Sequence, residues 1–132
     1  MKNRKLPLLF LLATNILVSG YHLLILFKLI DYRMVWGGRL HTTSEMYQFE
    51  SFSLFINLLI LSILLLDFKT NITKTYIQFV YWILAVMFVL NTLGNVISIN
   101  FYEKIIFTPI TLISSISCFM LISHKRKLIK QN

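Results

Sequence analysis

The sequence predicts an all-α membrane protein with four transmembrane helices in an up-down-up-down bundle. Of its 132 residues, 57% are hydrophobic and only 14% are charged, whereas a soluble domain carries about 25% charged residues. Four apolar runs predict four spans, each of which needs about 20 residues. The second run, Phe52 to Leu66, reaches this length once its helix start is placed upstream. The spans use most of the chain, so we expect residues 1–132 to form a single integral membrane domain.

The first predicted helix covers residues 6–30, because the apolar run that begins at Leu6 continues to Ile30. Its early part, with basic residues before an apolar stretch, also resembles a secretory signal peptide. Cleavage is the alternative, but it would leave a hydrophobic stub from Leu23 onward. We therefore expect the segment to be retained as a helix.

The three later helices are each predicted to begin at a capping box, in which two side chains three residues apart satisfy free backbone N–H groups. The boxes and the helices after them are Thr42 and Glu45 before residues 43–67, Thr75 and Gln78 before 76–99, and Asn100 and Glu103 before 101–123. Pro109 lacks a backbone donor and is expected to bend the fourth helix. Short loops favour consecutive helices as neighbours.

The distribution of Lys and Arg predicts the orientation, because cytoplasmic loops are enriched in these residues. The cations assigned to the cytoplasmic side are Lys2, Arg4, Lys5, Lys69, Lys74, Lys125, Arg126, Lys127 and Lys130. Both termini should thus face the cytoplasm, with residues 31–42 as a loop outside the plasma membrane. The net charge of +8 is assigned to contact between the basic termini and anionic lipid headgroups, and not to nucleic acid.

Polar residues recur at helical spacing on every predicted helix, and hydrocarbon is a costly environment for them, so these faces should turn toward one another. A candidate polar pocket, mostly in the outer half, consists of His22, Arg39, Glu50, Asn57, Asn91, Asn95, Thr108 and Thr111. The alternative is that the uncharged members only bridge helices. Three arrangements stay open for Glu50: pairing with His22, neutralisation by Arg39, or solvation among headgroups.

The 31–42 loop is a second candidate site, formed by Arg33, Trp36, Gly37, Gly38 and His41. The guanidinium group of an arginine and the indole ring of Trp36 could bind an anionic or aromatic group. The two glycines permit a turn with positive φ. The alternative is that the loop anchors the protein at the headgroups.

The sequence favours a non-enzymatic accessory or binding subunit whose polar pocket faces outward. The first alternative is a transporter or channel component, which would act as an oligomer. The others are a membrane enzyme that uses His22 and Glu50, and an immunity protein. The expected partners are the lipid bilayer and either another membrane protein or a second copy of the chain. No metal or other cofactor is expected, because the single cysteine, Cys118, and the histidines lack the spacing of a metal or haem site.

Overall fold

The computed structural model describes residues 4–131, and Lys2, one of the predicted cytoplasmic cations, lies outside the described residues. The helices are α1 (Lys5–Leu26), α2 (Thr43–Thr70), α3 (Thr75–Ile97) and α4 (Thr108–Gln131). Two short 3₁₀ helices, Tyr32–Met34 and Trp36–Gly38, lie between α1 and α2, and a π-helical segment, Glu103–Phe107, leads into α4. Residues 4–131 contain no β-strand, so this part of the chain is all-helical.

Within residues 4–131, four helices are long and apolar enough to cross a membrane. Their outward faces carry large exposed apolar side chains, among them Leu17 (72% exposed), Phe52 (66%) and Leu90 (62%). An apolar surface of this kind is unusual on a protein in water but suits a hydrocarbon environment. These features indicate a multi-pass membrane protein.

Helix α1 ends at Leu26, four residues before the predicted end at Ile30. Lys28 adopts a left-handed φ of 59°, and its N–H donates to the carbonyl of Ile25 over 2.8 Å. The N–H of Leu29 donates to the carbonyl of Leu24 over 2.9 Å, which completes a Schellman motif. The apolar pattern runs through this turn without a glycine, so hydropathy alone did not reveal the helix end.

The predicted capping box at the start of α2 is confirmed. The Thr42 hydroxyl accepts from the N–H of Glu45 over 3.2 Å, and the Glu45 carboxylate accepts from the N–H of Thr42 over 3.2 Å. The helix continues to Thr70, beyond the predicted end at residue 67, and Asn71 then ends it in the left-handed region. Asparagine tolerates that conformation better than most residues do.

The predicted capping box at the start of α3 is wrong. Thr75 is itself the first helical residue, and the residue before it, Lys74, makes no side-chain capping bond. The helix also ends at Ile97 rather than at residue 99, because Ser98 has an extended ψ of 146°. The Thr-x-x-Gln pattern therefore occurs one position too late to cap this helix.

The fourth helical segment begins where Asn100 caps it, since its side-chain oxygen accepts from the N–H of Tyr102 over 2.9 Å. The N–H of Thr108 then donates to the carbonyl of Glu103, five residues back. Pro109 follows, and its missing N–H and its ring prevent the ordinary bond to the carbonyl of Ile105. This break in the α-helical pattern accounts for the π segment. Helix α4 extends to Gln131, well past the predicted end at residue 123.

The helices pack most closely as two pairs, α1 with α2 and α3 with α4, and α1 also contacts α4. Helices α2 and α3, although joined by the four-residue turn 71–74, make few contacts, so consecutive helices are not all neighbours as expected. The main core draws on all four helices and contains Leu8, Leu11, Leu12, Ile60, Leu64, Ile77, Tyr81, Leu84, Ala85, Cys118, Leu121 and Ile122. A smaller core, formed by Ile25, Val35, Leu40 and Met46, joins the 31–42 loop to the helices.

Candidate functional site

Glu50 of α2 is fully buried and is held by two side chains from other elements. Its Oε2 lies 2.6 Å from Nδ1 of His22 on α1, and its Oε1 accepts from the indole N–H of Trp36 over 2.7 Å. A buried carboxylate requires such partners, because removal from water without them is very costly. Of the arrangements left open by the sequence, the structure therefore shows Glu50 paired with His22.

The backbone of the 31–42 loop turns through three successive left-handed residues, Trp36 (φ 55°), Gly37 (66°) and Gly38 (74°). The two glycines adopt this conformation readily, but for a residue with a Cβ, such as tryptophan, it costs about 1–2 kcal/mol. The bond from Trp36 to Glu50 offsets that cost and sets the position of the indole ring. The ring also packs against Phe49, with the two ring centroids 5.2 Å apart.

A second carboxylate holds the same loop from the other side. The N–H of Gly37 donates to Oε2 of Glu103 over 2.9 Å, and the hydroxyl of Ser98 donates to the same oxygen. Glu103 therefore binds the loop, whereas the sequence had suggested a capping role at its own helix. Glu50 and Glu103 together fix residues 36 and 37 to α2 and to the π segment.

The other members of the predicted polar pocket lie in separate helix contacts. Asn57 of α2 accepts from the side-chain amide of Asn15 on α1 over 3.0 Å. On the opposite pair of helices, the Thr111 hydroxyl bonds to Thr92 over 2.9 Å and to Asn95 over 3.4 Å. The uncharged residues of the predicted polar pocket are thus divided between two helix pairs. Each of these hydrogen bonds joins neighbouring helices, which agrees with the alternative that these residues only bridge helices.

The remaining predicted residues lie apart from these contacts. Asn91 is exposed, and so are Arg33, Arg39 and His41. The hydroxyl oxygen of Thr108 is buried and finds no hydrogen-bond partner within residues 4–131. Arg39 is therefore not brought to Glu50, and among the described residues the side chains that bond to the Glu50 carboxylate are those of His22 and Trp36.

A cleft of about 340 Å³ opens beside the loop. Its lining comes from α1 (Tyr21), the α1–α2 connection (Ile30, Met34) and the fourth helical segment (Asn100, Tyr102, Ile106, Phe107). The rings of Tyr21 and Phe107 pack with their centroids 5.1 Å apart, and Asn100 donates a hydrogen bond to the carbonyl of Met34. The cleft volume lies at the lower end of the range of about 300–1,000 Å³ typical of small-molecule sites.

The sequence prediction missed a buried charged cluster at the opposite end of the bundle, which we name the Asp67 cluster: Arg4, Asp67, Tyr81 and Lys125. The carboxylate of Asp67, which is fully buried, accepts from Lys125 Nζ over 2.5 Å and from the Tyr81 hydroxyl over 2.7 Å. Arg4 lies 4.0 Å from the other side of the carboxylate and donates to the Asp67 carbonyl. This one cluster contacts all four helices.

The signal for the Asp67 cluster was present as spacing. Asp67 continues the buried stripe of Ile60 and Leu64, and Lys125 continues that of Cys118 and Leu121, each at the three- or four-residue intervals of one helix face. Lys125 was instead predicted to be one of the cytoplasmic cations, and Asp67 was predicted only as the last residue of the second helix. Interface position and burial are compatible when two opposite charges meet.

Within residues 4–131, no group of three or more His, Cys, Asp or Glu side chains is placed to hold a metal ion. Comparison of the chain with protein-family models, with curated proteins and with solved structures gave no match.

Proposed function

We propose that this chain is a non-enzymatic multi-pass membrane protein that binds an apolar ligand in the cleft beside the 31–42 loop. The cleft itself is the observation that carries this proposal. Its walls are mainly aromatic and aliphatic, with Asn100 as a polar member, which is the usual composition of a small-molecule site. The sequence favoured a polar pocket, whereas Glu50, Asn57, Asn95 and Thr111 of that predicted set are hydrogen-bonded to other side chains.

The attachment of the neighbouring loop supports a binding role, since a preformed site loses less conformational entropy when the ligand enters. Both sides of the loop are fixed: Trp36 is bonded to Glu50 and Gly37 to Glu103. The left-handed backbone at Trp36 also favours this interpretation, because strained residues are concentrated at functional sites. No nucleophile accompanies His22 and Glu50 among their described contacts, which argues against a catalytic role.

We place the protein in the plasma membrane, with the helices in up-down-up-down order and both termini in the cytoplasm. The distribution of Lys and Arg supports this orientation. The cleft and the 31–42 loop would then lie at the outer surface, and the Asp67 cluster would lie at the cytoplasmic surface.

Native mass spectrometry of the protein purified in a mild detergent tests the binding role. We expect a non-protein mass to remain bound to the wild type. The Ile106→Trp substitution should fill the cleft and reduce this occupancy about ten-fold, equivalent to about 1.4 kcal/mol. Ile105→Trp is the matched control, because Ile105 is an exposed neighbour that does not line the cleft. Equal occupancy in both variants, or no bound mass in the wild type, would contradict the proposal.

A transporter or channel component is the second candidate, and buried polar atoms favour it. Asn15 Oδ1, Ser19 Oγ and Thr108 Oγ1 are buried without a partner within residues 4–131, and such groups often lie along a substrate or ion path in membrane proteins. The test is flux of protons, Na⁺, K⁺ and Cl⁻ in proteoliposomes. Flux that falls in an Asn15→Leu variant would support this candidate, and absence of all four fluxes would reject it for these ions.

A further inference from the structure

We propose that a second copy of this chain packs against the lipid-facing side of α3, with the Asn91 side chains of the two copies hydrogen-bonded to each other. The surface, which we name the Asn91 face, consists of Ile83, Leu90, Asn91 and Gly94, all of them exposed. This inference is independent of the cleft. It gives a role to a residue of the predicted polar pocket that lies apart from the other members.

Asn91 is exposed at a depth where the bilayer supplies no hydrogen-bond partner. It lies six residues before the end of α3 at Ile97, which is about 9 Å at the rise of an α-helix. The whole helix of 23 residues is about 35 Å long, only slightly longer than a hydrocarbon core of about 30 Å. Asn91 therefore falls within the core, where an amide without a hydrogen bond is costly.

Two other polar side chains of the spans find their partners inside the chain. Asn95, also on α3, donates to the Thr111 hydroxyl over 3.4 Å. Ser62 is exposed on α2, as Asn91 is on α3, but its hydroxyl donates to the carbonyl of Leu58 over 2.8 Å. Within residues 4–131 the Asn91 side chain takes part in no hydrogen bond, so both its donor and its acceptor are free to bind another molecule.

The surface around Asn91 is open and apolar. Ile83 and Leu90, which are seven residues apart and so share one side of the helix, are 52% and 62% exposed. At Gly94, three residues after Asn91, an added Cβ would meet no atom within 4 Å. Helix α3 packs closely against α4 and makes few contacts with α2. The described part of the chain thus leaves this side of α3 uncovered.

A second copy is the occupant that fits the Asn91 face. A carboxamide has both a donor and an acceptor group, so it is its own complement, and two of them can form paired hydrogen bonds. Copies inserted in the same orientation hold Asn91 at the same depth, and a two-fold axis along the membrane normal brings the two residues together. Asparagine side chains are known to bond across transmembrane helices in this way.

Energy transfer between copies in phosphatidylcholine liposomes tests the proposal. Donor and acceptor dyes are attached at Lys127→Cys in a Cys118→Ser background, and the signal is followed as added lipid dilutes the protein. We expect this parent protein to dimerise. Asn91→Leu should raise the dimer dissociation constant about five-fold, equivalent to about 1 kcal/mol, whereas Asn91→Gln, which keeps an amide, should retain most of the association. Ser62→Leu is the matched control, because Ser62 is exposed but bonded within its own helix.

Oxidation of single cysteines with copper phenanthroline locates the contact. In the Cys118→Ser background, Leu90→Cys should form an intermolecular disulfide, whereas Leu58→Cys, 48% exposed on α2, should not. Equal cross-linking at both positions would indicate random collision and overturn the proposal.

Three further outcomes would also overturn it. One is a parent protein that stays monomeric at every dilution, and another is an equal dissociation constant for Asn91→Leu and Ser62→Leu. The third is a different protein that co-purifies in equal amount with the wild type and is lost in Asn91→Leu, since it would assign the Asn91 face to that protein.

Discussion

At the scale of single residues, Glu50 decides how the 31–42 loop is attached to the helices. Its carboxylate is fully buried, so each oxygen needs a donor. One donor comes from α1 and the other from the loop. Loss of either donor would leave a buried oxygen unsatisfied, which costs more than the bond itself contributes.

We therefore predict that Trp36→Phe, which keeps an aromatic ring but removes the indole N–H, destabilises the protein by about 1–3 kcal/mol. The measurement is SDS-induced unfolding in dodecyl maltoside micelles. Trp82→Phe is the control, because Trp82 is about half exposed and contacts Phe119 only through its ring. Equal unfolding free energies for the two variants would show that the bond to Glu50 contributes nothing.

Asp67 has the same requirement at the other end of the bundle. We predict that Asp67→Asn lowers the unfolding free energy by about 3–5 kcal/mol, because Lys125 is then buried without its counter-charge. The double variant D67N/K125M should regain part of that loss, since it removes the ammonium that has lost its counter-charge. Lys127→Met, at an exposed position, should change little. A double variant less stable than Asp67→Asn alone would contradict this account.

At the scale of helices and loops, the sequence predicted the number and approximate extent of the helices. Hydropathy is a local property of each segment and does not depend on which segments contact one another. The capping box at Thr42 was predictable since both partners are local. The end of α1 at Leu26 was not, because Lys28 takes a left-handed conformation within an apolar run. Contacts with neighbouring elements select that turn, as the packing of Ile25 against the loop shows.

The loop gives a prediction at this scale. Gly37→Ala places a Cβ on a residue with φ 66° and should destabilise the protein by about 1–2 kcal/mol. Gly94→Ala is the matched control, since a Cβ there meets no atom within 4 Å and the position is inside α3. It should stabilise the helix by about 0.5–1 kcal/mol. Both are measured as shifts in the SDS unfolding midpoint, and shifts of the same sign would contradict the prediction.

At the scale of the whole molecule, the sequence could not say which polar side chains meet. Asn57, Asn95 and Thr111 were expected in one pocket, but partner choice depends on how each helix is rotated and which helices are neighbours. Close packing within the pairs α1–α2 and α3–α4 separates Asn57 from the other two. The Asp67 cluster was missed for the same reason, since its members come from α2, α3, α4 and the residue that precedes α1.

The orientation of the molecule yields a prediction from labelling with a membrane-impermeant maleimide. In a Cys118→Ser background, His41→Cys should react on intact cells, because residue 41 is exposed in the proposed outer loop. Lys127→Cys should react only after permeabilisation, since the positive-inside rule places the C-terminus in the cytoplasm. The reverse pattern would invert the topology and place the cleft on the cytoplasmic side.

The composition of the Asp67 cluster constrains the order in which a newly made chain can mature. Synthesis proceeds from the N-terminus, and Asp67 precedes Lys125 by 58 residues. Until the last helix leaves the ribosome, the carboxylate has only Arg4, 4.0 Å away, as a cationic partner. Arrival of Lys125 then adds a second cation, 2.5 Å from the carboxylate, and joins α4 to the helices made before it. A truncated chain without α4 would lack this ion pair, and its buried acid would keep only Arg4, the Tyr81 hydroxyl and the N–H of Ile72 as partners. Helix α4 therefore completes the charge pairing of Asp67 at the end of synthesis.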